Sequence, residues 1–330
     1  MESNSSFSYI LEIILQNSSL FWIDNMNIFV TIPIAIVGTV LNAISLGVIR
    51  KEKNDSSLFK YLQVHNFVSL IFTMSYFLCF FISPTYFIYL IYHARLVKCN
   101  IYAFLLNFFY LYTLTLDFLI NLDVLATYNK KFSKFKKISP NLLVSIFFLI
   151  SFLITSPYLF QFYINSDQEI LLYKRLCKDN PFFVTFYGKS IIILINFLQG
   201  PFMICLTLVF NILCLISFKN YLKRKKSLLC YNQTSDKMTS MQRIQLKNLL
   251  KKKRKQTKMT FFISLTAIII NFFQLWAKIC VYWRIFGDIF NLSIQCIALL
   301  LAAVKYSSNI IFYYNFNSNF KKNLILLFKK

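Results

Sequence analysis

The chain has 330 residues, 57% of them apolar and 18% aromatic, with a mean hydropathy of +0.57. That is too apolar for a soluble globule of this size and fits a polytopic membrane protein. The 5 glycines leave no glycine-rich phosphate loop, and the net charge of +24 lies between apolar blocks, which excludes nucleic acid as its partner.

Residues 1–26 read as an extracellular N-terminus. Met1 to Asp24 lacks the basic start and small-residue cleavage site of a signal peptide, so the first span is expected to act as its own signal. Asn4-Ser-Ser and Asn17-Ser-Ser are glycosylation acceptors there. Apolar blocks follow at about 27–50, 58–84, 98–127, 141–163, 183–218, 257–283 and 289–313. Each exceeds the ~20 residues that cross a ~30 Å hydrocarbon core as helix. Backbone groups in lipid must be satisfied internally, which makes these blocks helices. The expected fold is all-α: a seven-transmembrane helix bundle over 27–313. Residues 242–258 have helical character, so span six is expected to extend into the cytosol. Residues 314–330 form a cytoplasmic amphipathic helix and tail, with Phe316, Phe320, Leu324 and Leu327 on one stripe.

Lys and Arg set the orientation. With the N-terminus outside, 27 of the 36 lie on the inner side and eight on the outer side, and Lys305 lies within a span. The inner set includes Lys130, Lys131, Lys134, Lys136 and Lys137, and the run Lys251-Lys-Lys-Arg-Lys255. This split puts the N-terminus outside and the C-terminus inside, and so requires an odd number of spans. The basic inner loops suit anionic lipids of the inner leaflet.

The spans carry an ordered set of short motifs. Span one has Gly38-Thr-Val-Leu-Asn42 and span two Leu62-Gln-Val-His-Asn66. Cys99 opens span three, and Leu122-Asp123-Val124-Leu125-Ala126 closes it. Span four has Pro157, span five Pro201 and span six Asn271-Phe-Phe273. Span seven ends in Lys305-Tyr-Ser-Ser-Asn309-Ile-Ile-Phe-Tyr313, and Phe320-Lys321-Lys322 follows. In this order the set resembles the rhodopsin-like (class A) G-protein-coupled receptors, most of all the lineage-expanded peptide or chemosensory-type receptors of invertebrates.

The resemblance implies an extracellular ligand, a heterotrimeric G protein as cytoplasmic partner, and no enzymatic activity. It also implies a disulfide between Cys99 and Cys177, against the alternative of two free thiols. The departures from the family fall together. Asn66 replaces the span-two Asp, Val124 the Arg of Asp-Arg-Tyr, and Ile310 the Pro of Asn-Pro-x-x-Tyr. The family holds a sodium ion on that Asp; here no metal is expected. Opsins carry retinal on a lysine six residues before the motif Asn, which is Ala303 here, so no cofactor is expected. Amine receptors need an acidic residue seven positions after Cys99, which is Leu106.

Ionisable groups inside a membrane are costly and functional by default. Asn107, Tyr110, Thr113, Asp117 and Asn121 recur at helical spacing and make one polar stripe on span three. Lys305 and Asn309 share a face of span seven, and Asn42 and Asn66 approach the same region. These residues, with Asp123, Val124 and Tyr313, are the expected switch. Lys305 either pairs with Asp117 or snorkels, or is deprotonated, and the two never meet. Asn107, Tyr110, Gln199, Gln274, Lys278 and Gln295 offer polar points for a ligand in an apolar outer cavity; Lys278 and Arg284 equally suit snorkelling. Two other functions fit the sequence. One is a seven-helix receptor that binds ligand without coupling to G proteins, because of Val124. The other is a small transporter, against which the odd span count and lack of an inverted repeat stand.

Overall fold

The computed structural model describes residues 30, 32–51, 56–82, 101, 103–164, 177–234, 240–282 and 288–328. A helix that is apolar all round is stable only when it is buried or bathed in lipid. The third helix, α3 (Ala103–Tyr128), takes the first course: 94% of its apolar window is inside the protein. It packs against α2 (Ser57–Ile82) and α4 (Pro140–Thr155), and α1 (Ile32–Lys51) packs on α2. The α4 window is only 17% buried, and Leu142, Leu149 and Leu153 point outward, the signature of a lipid face.

The fifth helix, α5, is built in three pieces: Phe186–Phe197, a π turn Leu198–Phe202, and Met203–Thr234. Pro201 lies inside the π turn and has no N–H to give, so the wider turn forms where the regular bond is lost. The sixth, α6 (Ser240–Tyr282), is one 43-residue rod, far longer than a bilayer requires. Five helical stretches among the described residues are long and apolar enough to cross a membrane. With α2 and α7 they complete a seven-helix bundle.

The seventh helix, α7, runs Asp288–Ser307, turns at Ser308, and resumes over Asn309–Phe316. The break survives the exchange of proline for Ile310. Ser307 Oγ donates to the Ala303 carbonyl (2.7 Å) and Ser308 Oγ to the Lys305 carbonyl (2.9 Å). Hydroxyls that bond back to the preceding turn compete with the helix ladder and bend it. The last helix, α8 (Ser318–Phe328), is pinned by Phe320, which is fully buried 5.5 Å from the Tyr313 ring.

The fourth apolar block departs from its expected course. Pro157 ends regular α-helix; a 3-10 segment carries Ser156–Phe160, and Phe162 and Tyr163 belong to a strand. That strand, β1 (Phe162–Ile164), pairs antiparallel with β2 (Cys177–Asp179). β-Branched and aromatic residues favour such an extended ribbon over a continued helix. Asn180 closes the hairpin by donating to the Phe160 carbonyl at 3.0 Å.

Candidate functional site

Three helices deliver one ionisable side chain each to a single buried point. Asp117 comes from the middle of α3 and is 0% exposed. His65 Nε2 of α2 lies 3.2 Å from its Oδ1, and Lys305 Nζ of α7 lies 3.5 Å from its Oδ2. The alignment is that of charge contacts more than of directed hydrogen bonds. Both contacts lie within ion-pair distance, and the His65 contact is ionic only when the imidazole is protonated. Lys305 Nζ also lies 4.9 Å from the centroid of the Tyr306 ring, whose face attracts a cation.

Amides and hydroxyls wrap this cluster. Asn42 Nδ2 donates to the Tyr306 carbonyl at 3.0 Å, tying α1 to the turn of α7 that holds Lys305. The Tyr306 hydroxyl meets Thr113 Oγ1 at 2.8 Å, and its ring lies 4.2 Å from that of Phe72. Asn309 Nδ2 reaches Ser69 Oγ at 3.4 Å, a long contact. Asn66 of α2 and Tyr313 of α7 are both buried. Of the positions expected at the switch, Lys305 meets Asp117 directly, while Asn42 and Asn309 bond to Tyr306 and Ser69.

Two contacts join α3 to α6 toward the end that the charge map assigns to the inside. Ser264 Oγ donates to Asn121 Oδ1 at 3.0 Å. One turn beyond Val124, the Tyr128 hydroxyl meets Thr257 Oγ1 at 2.8 Å. Tyr128 also packs against Phe218 (5.1 Å) and Tyr221 (5.2 Å) of α5, and Lys253 Nζ lies over the Tyr221 ring. Val124 is buried in the apolar core. Asp123 is engaged by the hydroxyl of Ser57, which links α3 to the start of α2.

Tyr110 and Gln199 are buried, Gln199 within the π turn of α5, while Asn107 and Gln274 are partly exposed. The side chains of Lys278 and Gln295 lie outside the described residues, as do Asn4, Asn17, Cys99 and Arg284. Cys177 starts β2, so the backbone on its side of the expected disulfide is a strand at the outer end.

Comparison with known proteins adds one finding. No protein-family model matches the chain, and no curated protein matches it. Among solved structures it matches the crystal structure of squid rhodopsin, with a TM-score of 0.64 at 15% identity. The match covers 93% of this chain and 80% of that one. The chain has the seven-helix fold of that rhodopsin. At this identity the likeness carries fold alone. Position 303, where an opsin would have its lysine, is a buried alanine, and the nearby Lys305 is occupied with Asp117.

His65 was legible only as one of two histidines in the chain. Its signal was its place beside Asn66: a second polar residue on the part of span two that turns toward Asp117. Ser57, Tyr128, Thr257 and Ser264 carry no signal in sequence, since single hydroxyls near span ends are common. Their roles depend on which helices become neighbours.

Proposed function

We propose that this chain is a receptor in the plasma membrane. It would sense an extracellular ligand, a peptide or small chemosensory molecule, and pass the signal inward by rearranging its helices. The observation that carries this reading is the buried Asp117 cluster joining α2, α3 and α7. A paired charge in an apolar bundle is costly to disrupt and has few alternative arrangements, so it favours discrete packings over gradual deformation. A ligand that binds one packing better shifts the population toward it.

The cytoplasmic partner in this reading is a heterotrimeric G protein, met at the inner ends of α3, α5 and α6. Anionic lipids of the inner leaflet meet the basic loops. A Cys99–Cys177 disulfide would hold the β1–β2 hairpin over the ligand entrance, in an extracellular setting that permits it. Glycans on Asn4 and Asn17 fit the same side.

A second reading is favoured by Val124, which is buried where the family presents a cation. Under it the chain binds ligand without engaging a G protein. Ligand screening with a G-protein recruitment readout separates the two, run on the native chain and on Val124→Arg. Recruitment by the native chain supports coupling. Recruitment by the arginine form alone supports the non-coupling receptor. Flux of a substrate or ion, with no recruitment in either, overturns both in favour of a transporter.

A further inference from the structure

The segment joining α3 to α4 is a 3-10 helix, Lys130–Lys137, with the sequence Lys-Lys-Phe-Ser-Lys-Phe-Lys-Lys. At 3.0 residues per turn, every third side chain stacks on one row. Phe132, Phe135 and, just past the end, Ile138 fall on one row. Lys131, Lys134 and Lys137 fall on the second. Lys130, Ser133 and Lys136 fall on the third. An eight-residue 3-10 helix is long for its kind, and three contacts support it. Asn129 Oδ1 caps it by accepting from the Lys131 N–H (3.0 Å), Ser133 Oγ donates to the Lys130 carbonyl (2.7 Å), and the Ile138 N–H closes on the Phe135 carbonyl (3.2 Å).

The apolar row begins against the helix bundle. Phe132 reaches up to Phe210 of α5, 6.1 Å between ring centroids. Phe135 and Ile138 lie next along the row, 40% and 38% exposed, with that surface left uncovered by the described residues. The chain then enters α4, where Leu142, Leu149 and Leu153 are exposed on a face suited to lipid. All five lysines are exposed, and the helix contains no acidic residue. Lys136, on the third row, feels the carboxylate of Asp123. The row Lys131–Lys134–Lys137 points elsewhere.

We propose that this 3-10 helix is a binding strip for anionic phospholipid, with Phe135 and Ile138 in the acyl region and Lys131, Lys134 and Lys137 on the headgroups. The proposal rests on the inside orientation read from the charge map, and not on whether the chain couples to a G protein. An apolar row flanked by two basic rows is the pattern of an interfacial helix, compressed to a 3-10 period. Each lysine at an anionic surface strengthens attraction about fivefold, so three act together by roughly a hundredfold.

The test uses the full chain carrying Phe135→Trp in nanodiscs of phosphatidylcholine with increasing phosphatidylserine. Bromine is placed on the acyl chains of one lipid or the other, and the signal of the parent chain with its own tryptophans is subtracted. The expected result is that brominated phosphatidylserine quenches the introduced indole well beyond its mole fraction. K131Q/K134Q/K137Q lowers the apparent association constant by about fivefold per lysine removed. Ser133→Glu keeps every lysine, sets a negative charge on the third row between Lys130 and Lys136, and lowers it as well. Quenching that merely follows mole fraction, or that survives in either variant, overturns the proposal. So does an absence of quenching by both lipids, which would place Phe135 in water. Protection of the introduced indole by an added G protein, without prior phosphatidylserine enrichment, overturns it too and assigns the strip to a protein.

Discussion

The hydroxyl of Tyr128 lies 2.8 Å from that of Thr257, and so joins the inner ends of α3 and α6 through two uncharged groups. It stands one turn past Val124, the position where the resemblance leads one to expect an arginine. With the Ser264–Asn121 bond about two turns above it, it gives the bundle an inner clasp without any charge. Such a hydrogen bond contributes about 1 kcal/mol net. Tyr128→Phe and Thr257→Val should each raise inner-end opening about fivefold, and together no more than either alone. The reporter is Cys214, a buried thiol that donates to the Asn121 carbonyl at 3.1 Å. Its labelling rate by a maleimide, followed by mass spectrometry, should rise in both variants. An unchanged rate contradicts the clasp.

Gly38 permits a very close approach between α1 and α7. A Cβ built on it would lie 2.0 Å from Ser307 Oγ and 2.9 Å from Ser307 Cβ. The hydroxyl can rotate away; the Cβ cannot. Gly38→Ala should therefore destabilise the protein by about 1–3 kcal/mol. Adding Ser307→Gly removes both obstructing atoms and should restore part of the loss, although Gly in a helix costs about 1 kcal/mol of its own. Thermal melting in one detergent compares the two. If Gly38→Ala melts as the native chain does, α1 and α7 are not packed as described.

His65 and Lys305 approach opposite oxygens of the same carboxylate, but they are not equivalent. Removing His65 leaves Asp117 paired with Lys305; removing Lys305 leaves it with an imidazole that must first be protonated. His65→Ala should cost about 1–3 kcal/mol, the loss of one polar partner. It should remain milder than Lys305→Ala by melting temperature. The reverse order would make His65 the principal counter-charge.

Much of the core was legible because its signals are strong and local. Asp117 and Lys305 declare themselves as charges within apolar blocks, and the Asn107–Asn121 stripe repeats at the helical period. The seven-helix bundle followed from the length of the apolar blocks. The break in α7 was obscured because Ile310 removes the usual cause, while Ser307 and Ser308 achieve the bend through side-chain bonds that a sequence does not display. The start of β1 was hidden by an apolar run equally suited to helix. His65, Ser57 and Thr257 gain meaning only from their neighbours across the bundle, which a linear pattern does not specify.

The most direct test of the switch is a double-mutant cycle on Lys305 and Asp117, read by thermal or denaturant stability in one detergent. Lys305→Ala leaves a buried carboxylate without its fixed cation, and breaking a buried pair in this way costs about 3–5 kcal/mol. Lys305→Ala with Asp117→Ala removes both charges from a buried site. The account predicts that the double variant is more stable than Lys305→Ala alone, with a coupling well above the few tenths expected of independent sites. Additive losses, with the double variant the least stable, would contradict the pairing at the centre of the bundle.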